Sequence, residues 1–139
     1  HSSVVDDLHE MLVLLLHGQA IVKCQNPLSI DSHSEPEPDL TIAKFQTHKY
    51  RHQHPRPEDV HFLIEVADTT LQKDRKIKLP LYAEAGIPEV WIVNLKNNTV
   101  EVYTNPVDRG YQELKTLKSG EILHVEVLDF ELEVERIFG

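Results

Sequence analysis

The sequence predicts a mixed α/β (α+β) domain, in which a β-sheet packs against helices. One observation is the order of the patterns: a helix, several strands, a second helix and then further strands. A second is the nearly continuous apolar run Val60–Ala67, which is typical of a central strand covered on both faces. A third is the length of 139 residues, which suits one domain with its own core.

The first half of the chain contains one helical pattern followed by strand patterns. Val4–His17 has apolar residues at helical spacing and ends before Gly18, a common helix stop. The polar, proline-containing stretch His48–Asp59 indicates a loop. The predicted strands are Ala20–Cys24, Leu40–Phe45 and Val60–Ala67. A short continuation of the first strand is expected at Leu28–Ile30.

The second half begins with a helix that we expect over Leu71–Ala85, ending at Gly86. Pro80 is awkward inside it, so the helix either starts late, near Arg75–Lys78, or kinks there. The turn Lys96-Asn97-Asn98 predicts a hairpin between the first two of the strands that follow. These strands are Val90–Leu95, Thr99–Tyr103, Tyr111–Leu117 and Ile122–Val127, with another short one allowed within Phe130–Gly139.

The charge balance is acidic, with 23 Asp and Glu against 14 Lys and Arg and a net charge of −9. A sequence-independent DNA-binding protein usually has a basic surface, so this balance counts against strong unaided affinity for DNA. It does not exclude a nuclease, because an acidic metal site adds negative charge that bound cations offset.

Other features favour a cytoplasmic protein. The longest apolar run, Met11–Leu16, is too short to span a bilayer and has no basic leader. Cys24 is the single cysteine, so an intrachain disulfide is excluded and a buried structural thiol is expected. The chain begins at His1, and we expect that residues preceding it in the full protein are absent.

Glu65 is the most informative residue, because it lies inside the apolar run Val60–Ala67. A buried carboxylate is costly unless it is paired or binds a metal ion. For a single glutamate considered alone, an edge strand facing water or a structural ion pair is the more common explanation.

Asp39 follows Pro38 at the start of a predicted strand. Alone, a Pro-Asp pair most often marks a turn. Together with Glu65 it acquires another meaning, because carboxylates on neighbouring strands can share one hard cation such as Mg²⁺.

Asp74, Lys78 and Tyr82 share one stripe of the second predicted helix, at spacings of four residues. A solvated salt-bridge face is the ordinary explanation. The functional alternative has Lys78 above the metal site, as a cationic partner for phosphate or for an attacking water.

His48, His52 and His54 suggest a zinc site at first sight. They lie in a polar loop without cysteine partners, and their spacing matches no compact zinc motif. We therefore expect a solvated loop.

The order of these and later motifs resembles that of the Uma-two family, a bacterial family assigned to the PD-(D/E)XK nuclease superfamily. The resemblance covers most of the chain, and the ordered set is more specific than any one motif. Its main pieces are Pro38-Asp39-Leu40, Leu63-Ile64-Glu65-Val66-Ala67-Asp68-Thr69-Thr70-Leu71, Asp74-Arg75, Lys78, Leu81-Tyr82-Ala83, Gly86-Ile87-Pro88-Glu89 and Trp91-Ile92-Val93-Asn94. The later Val100-Glu101-Val102-Tyr103, Gly110-Tyr111 and Ile137-Phe138 resemble the C-terminal part of the family.

The resemblance implies a single restriction-endonuclease-like domain over residues 1–139, with Asp39 and Glu65 as ligands of Mg²⁺ or Mn²⁺. Members usually carry a further N-terminal segment, which would precede His1. The (D/E)XK pattern would have a lysine two residues after Glu65, where this chain has Ala67. The resemblance and the spacing together imply Lys78 as the substitute, so the implied catalytic set is Asp39, Glu65 and Lys78.

Three functions stay open at this point. The first is a metal-dependent endonuclease that hydrolyses phosphodiester bonds of DNA, working as a homodimer so that two sites address two strands. The second is a catalytically weak or inactive nuclease-fold module that binds nucleic acid or protein, favoured by Ala67 and by the net charge. The third is a structural oligomerisation domain, supported only by the apolar strands.

Overall fold

The computed structural model describes residues 1–31, 33–68 and 74–139, and describes Asp74 by its backbone alone. The predicted helical residues 71–73 therefore lie outside the described residues. The helical elements are α1 (Ser2–Leu15), a π-helical turn (Asp74–Lys78), α2 (Leu79–Glu84) and α3 (Glu135–Phe138), with 3-10 turns at Pro57–Asp59 and Glu126–Leu128. The strands are β1 (Ala20–Cys24), β2 (Leu40–Lys44), β3 (Val60–Ala67), β4 (Glu89–Asn94), β5 (Thr99–Val107), β6 (Gly110–Lys118), β7 (Ile122–Val125) and β8 (Phe130–Glu133).

The main sheet has six strands in the order β1-β2-β3-β4-β5-β6, and β7 and β8 form a separate two-stranded sheet. β3 and β4 pair in parallel, whereas the other neighbours in the main sheet are antiparallel. The helical residues between β3 and β4 allow this parallel return, which a tight hairpin cannot make. The predicted mixed sheet with flanking helices is confirmed.

The two faces of the sheet have separate cores, because side chains alternate along each strand. Phe62, Ile64 and Val66 point to the side covered by α1 and the C-terminal segment, which we call the α1 face. Leu63 and Ala67 point to the opposite side, the α2 face, where the buried Tyr82 of α2 packs. β3 is thus covered on both sides, as its apolar sequence predicts.

Most predicted elements are confirmed, with β1 and β3 at their predicted bounds. The strand continuation at Leu28–Ile30 is wrong. The backbone N–H of Leu28 bonds instead to the carbonyl of Pro36 at 2.9 Å, because the chain turns away from the sheet after Pro27, which has no N–H to donate. The predicted last strand is confirmed as β8, and the short α3 that follows it was not predicted.

The helix after β3 follows the late-start alternative. The π-helical turn leads into α2, which places Pro80 within the first turn of α2. A proline is tolerated there because an N–H in the first turn has no partner within the helix. The helix ends before Gly86, whose φ of +81° is the left-handed conformation expected of a helix terminator.

Within the described ranges, none of the helices has the length and apolar character needed to cross a membrane.

Candidate functional site

Glu65 lies in the middle of the sheet, not at an edge. It belongs to β3, which has β2 on one side and β4 on the other. The residue is only 2% exposed and faces α2. The edge-strand explanation is therefore wrong for this glutamate, because the neighbouring strands and α2 together remove it from water.

Asp39 lies across from Glu65, immediately before the first residue of β2. The register pairs Leu40 with Ile64 in antiparallel fashion, so the next position along brings Asp39 opposite Glu65. Residues opposite each other in such a pair project to the same face. Both carboxylates are consequently on the α2 face, as a shared cation would require.

Asp39 is held by the backbone of the strand it faces. Its Oδ2 accepts a hydrogen bond of 2.8 Å from the N–H of Val66. The imidazole Nε2 of His1 lies 3.4 Å from the same oxygen, and the aspartate side chain is 13% exposed. These contacts fix the orientation of the carboxylate while leaving it partly open to solvent.

Both oxygens of Glu65 have partners on the helical segment above the sheet. The hydroxyl of Tyr82 donates to Oε2 at 2.6 Å, and the ammonium of Lys78 donates to Oε1 at 3.1 Å. The two residues are four apart, so the segment directs both toward β3, as the predicted stripe requires. The side chain of Asp74, the third member of that stripe, lies outside the described residues.

The environment of Glu65 raises the pKa of its carboxyl group from 4.5 to about 7. Burial is the main cause, because it penalises the charged form, and the negative charge of Asp39 adds to the increase. Lys78 and the hydroxyl of Tyr82 act in the opposite direction. A cation placed between Glu65 and Asp39 would relieve both the burial penalty and the repulsion.

The donor set of Asp39 and Glu65 fits a hard divalent cation. Carboxylate oxygens are the protein ligands that Mg²⁺ prefers, and it commonly keeps several waters beside one or two carboxylates. Three or more His, Cys, Asp and Glu residues do not converge on a metal position anywhere in the described part of the chain.

The histidine-containing loop is not part of any group of three or more potential metal ligands among the described residues. His48, His52 and His54 are all exposed, in agreement with the predicted solvated loop. Cys24 is half-buried, and burial raises the pKa of its thiol. A raised pKa disfavours the thiolate, which is the nucleophilic form, and the predicted burial of the thiol is only partial.

A second buried carboxylate, Glu101, was missed by the sequence reasoning. It is 4% exposed on β5, and the guanidinium of Arg75 pairs with its Oε2. The hydroxyl of Tyr103 donates to its Oε1 at 2.7 Å. The pairs Glu65–Ile92 and Ile92–Glu101 place both glutamates on the α2 face, in one line across the sheet.

Comparison with known proteins bears on the fold and on the family of the chain. One solved structure that is similar to this chain is a putative nuclease belonging to DUF820 from Anabaena variabilis ATCC 29413, with a TM-score of 0.77 and 13% sequence identity. The superposition covers 99% of this chain and 79% of that one, which confirms the predicted nuclease-like fold. No curated protein matches the chain. The family model Uma2, described as "Putative restriction endonuclease", matches residues 1–135, so the chain belongs to the Uma2 family.

Proposed function

We propose that this protein is a metal-dependent endonuclease that hydrolyses phosphodiester bonds of DNA, with Asp39, Glu65 and Lys78 at its active site. The observation that carries the proposal is the convergence on one sheet face of two carboxylates and an ammonium group. Family membership supports a nuclease, and the geometry supports these residues as its catalytic set.

Asp39 and Glu65 would hold Mg²⁺ or Mn²⁺. Such an ion, when bound, stabilises negative charge on a phosphate and lowers the pKa of a coordinated water. The hydrogen bond from the Val66 N–H orients Asp39, and the hydroxyl of Tyr82 orients Glu65. The ligands are therefore positioned before any ion arrives, which reduces the cost of binding it.

Lys78 would supply positive charge beside the scissile phosphate. Its ammonium lies 3.1 Å from Glu65 and its side chain is 34% exposed, so it can reach both the buried carboxylate and a substrate at the surface. Electrostatic stabilisation of a negatively charged transition state requires no covalent role for the lysine. Lys78 on the helical segment would thus replace the lysine of the (D/E)XK pattern, whose position is occupied by Ala67 in this chain.

The decisive experiment is cleavage of a panel of single-stranded, duplex and supercoiled DNA in Mg²⁺ or Mn²⁺. We expect the wild type to cut in a metal-dependent way and Glu65→Ala to be inactive. Isothermal titration of Mn²⁺ into both proteins separates loss of binding from loss of chemistry. Cleavage that persists in Glu65→Ala or in excess chelator would contradict the proposal.

A non-catalytic nuclease-fold module that binds nucleic acid or protein is the second candidate. It is favoured by Ala67 and by the fact that both oxygens of Glu65 already have hydrogen-bond partners. This candidate predicts no cleavage with any divalent ion and no saturable Mn²⁺ binding at Glu65. Retention of a partner by both the wild type and Glu65→Ala would then support it.

We also propose that the active form is a homodimer, because two sites related by a two-fold axis can address the two strands of a duplex. Sedimentation velocity at micromolar concentration tests this separately from activity. A monomer across that range would contradict the dimer and leave the active-site proposal intact.

A further inference from the structure

The loop between β2 and β3 has a charge opposite to that of the whole chain. We define the basic loop as residues 44–57, which are the last residue of β2 and the connection to β3 up to Glu58 and Asp59, the two acidic residues that end that connection. It contains four of the chain's 14 Lys and Arg and none of its 23 Asp and Glu, in a protein whose net charge is −9. Such a concentration of one sign creates a local positive potential on an otherwise acidic protein.

The four cations of the basic loop are exposed and form no ion pair with the described residues. Lys44, Lys49, Arg51 and Arg56 are all exposed. Among the described residues, none of them has an acidic group within ion-pair distance. The loop therefore presents exposed positive charge that is suited to an anionic partner.

The loop is held in place by its own contacts. Tyr50 is 7% exposed beneath it, and its hydroxyl donates to the carbonyl of Lys44 at 2.7 Å. The N–H of Ser29 donates to the carbonyl of Pro55 at 2.9 Å, which ties the far end of the loop to the segment after β1. The cations therefore project from an anchored surface, so less conformational entropy is lost when a partner binds.

A lysine on β1 connects the basic loop to the face that carries the candidate site. The ammonium of Lys23 donates to the carbonyl of Lys49 at 3.5 Å. Lys23 pairs with Thr41, which pairs with Leu63, so Lys23 projects to the same α2 face as Glu65. Two strand spacings separate β1 from β3, about 10 Å across the sheet.

We propose that the basic loop together with Lys23 binds the phosphate backbone of DNA and holds it over the α2 face. The choice of DNA rests on the proposed nuclease function. A backbone-tracking surface needs several exposed cations with freedom to contact phosphates and requires no reading of bases. Because the rest of the chain is acidic, DNA binds at this local surface, and the loop compensates for the net charge that counts against unaided affinity.

The test is fluorescence anisotropy of labelled DNA in chelator at increasing NaCl, which measures binding without cleavage. The loop variant carries Lys44→Gln, Lys49→Gln and Arg51→Gln. The matched control carries Lys96→Gln, Lys115→Gln and Lys118→Gln, which remove three exposed charges elsewhere. The single variant Arg51→Gln repeats the measurement with less risk to folding, and circular dichroism checks all four proteins.

We expect the loop variant to lose about tenfold or more in affinity at low salt, with a shallower dependence on salt of about 0.9 in log–log slope for each phosphate contact removed. Arg51→Gln should show a smaller loss in the same direction, and the control should bind like the wild type. Equal losses in both triple variants, no loss in either, or no DNA binding by the wild type would overturn the inference. Polyglutamate competing as well as DNA at equal charge would overturn the choice of phosphate.

Failure of this inference and failure of the proposed function give different results. If the wild type cleaves DNA and the loop variant binds and cleaves equally well, the basic loop is not the DNA-binding surface although the nuclease proposal stands. If the wild type binds DNA through the loop but does not cleave it with any divalent ion, the nuclease proposal fails and the proposed binding surface stands.

Discussion

Glu65 and Glu101 are two buried carboxylates on one face of one sheet, separated by Ile92. Their exposures are 2% and 4%, and each is paired with a cation from the π-helical turn before α2. Each also accepts a hydrogen bond from a tyrosine hydroxyl. By burial and by number of partners they are nearly equivalent.

They differ in what lies beside them. Glu65 faces Asp39, a second carboxylate that disfavours its charge, and burial with this repulsion raises its pKa to about 7. Glu101 instead pairs with the guanidinium of Arg75, which stays charged at all ordinary pH values. Glu65 is thus held in an unfavourable electrostatic environment, which is common at functional sites. Glu101 has the partners of a brace, and through Arg75 it fixes the turn that carries Lys78.

The largest effect on activity should come from removing the cation that pairs with Glu65. Lys78→Ala should lower the rate of DNA cleavage by about 10²–10³, the usual cost of losing one positioned electrostatic group. Mn²⁺ affinity should be nearly unchanged, because the lysine is not a ligand, and the loss of its support for ionised Glu65 is offset by the loss of its repulsion toward the cation. Glu65→Ala should lose both cleavage and Mn²⁺ binding. Lys78→Arg should recover little of the cleavage rate, because a planar guanidinium replaces a compact ammonium poorly.

Titration calorimetry and single-turnover cleavage distinguish these outcomes. Wild-type rates in Lys78→Ala would mean that the lysine has no role in the chemistry. The contacts of Lys78 would then be purely structural, like those of Arg75.

A pH series should separate the two glutamates next. Since the folded protein raises the pKa of Glu65 from 4.5 to about 7, the unfolded chain releases this proton at lower pH. The stabilising contribution of the protonated group is therefore complete below about 4.5 and is lost as pH rises through 7. Glu65→Gln lacks this titration, so its stability relative to the wild type should improve between about pH 5 and pH 8, at most by about 1.4 kcal/mol per pH unit.

Urea unfolding in chelator at several pH values measures this difference. A stability difference between Glu65→Gln and the wild type that does not change with pH would show that the carboxyl group has an ordinary pKa in the folded protein.

Glu101→Gln is the matched variant at the brace. The amide keeps the size of the side chain and loses its charge, so Arg75 is left without its counter-ion. We expect a loss of about 1–2 kcal/mol in the free energy of unfolding, less than for a fully buried pair because the Arg75 side chain is 37% exposed. A variant as stable as the wild type would remove the brace interpretation.

The contrast also explains what the sequence could predict. Glu65 stands out because it interrupts an apolar strand, and the spacing of Lys78 and Tyr82 indicates that they share a helix face. Glu101 gives no such signal, because it alternates with Val100 and Val102 like a glutamate facing solvent. Its burial depends on the sheet register and on a side chain from the π-helical turn. That turn has no distinct pattern in the sequence beyond the proline that follows it.

The smallest expected effect is at the tyrosine that orients Glu65. Tyr82→Phe removes one hydroxyl whose hydrogen bond to Oε2 is 2.6 Å long, and it keeps the ring in the core. Losing one hydrogen bond costs about 0.5–1.5 kcal/mol when the acceptor is protonated and neutral, and somewhat more when the acceptor is ionised. The stability loss should therefore be small at pH 5 and larger at pH 8. Mn²⁺ affinity should fall several-fold, because an ion requires the ionised carboxylate that the hydroxyl stabilises.

Tyr103→Phe makes the same deletion beside Glu101 and should leave Mn²⁺ affinity unchanged. Equal effects of the two variants on Mn²⁺ binding would mean that the hydroxyl of Tyr82 acts on the fold as a whole and does not act on the metal site through Glu65.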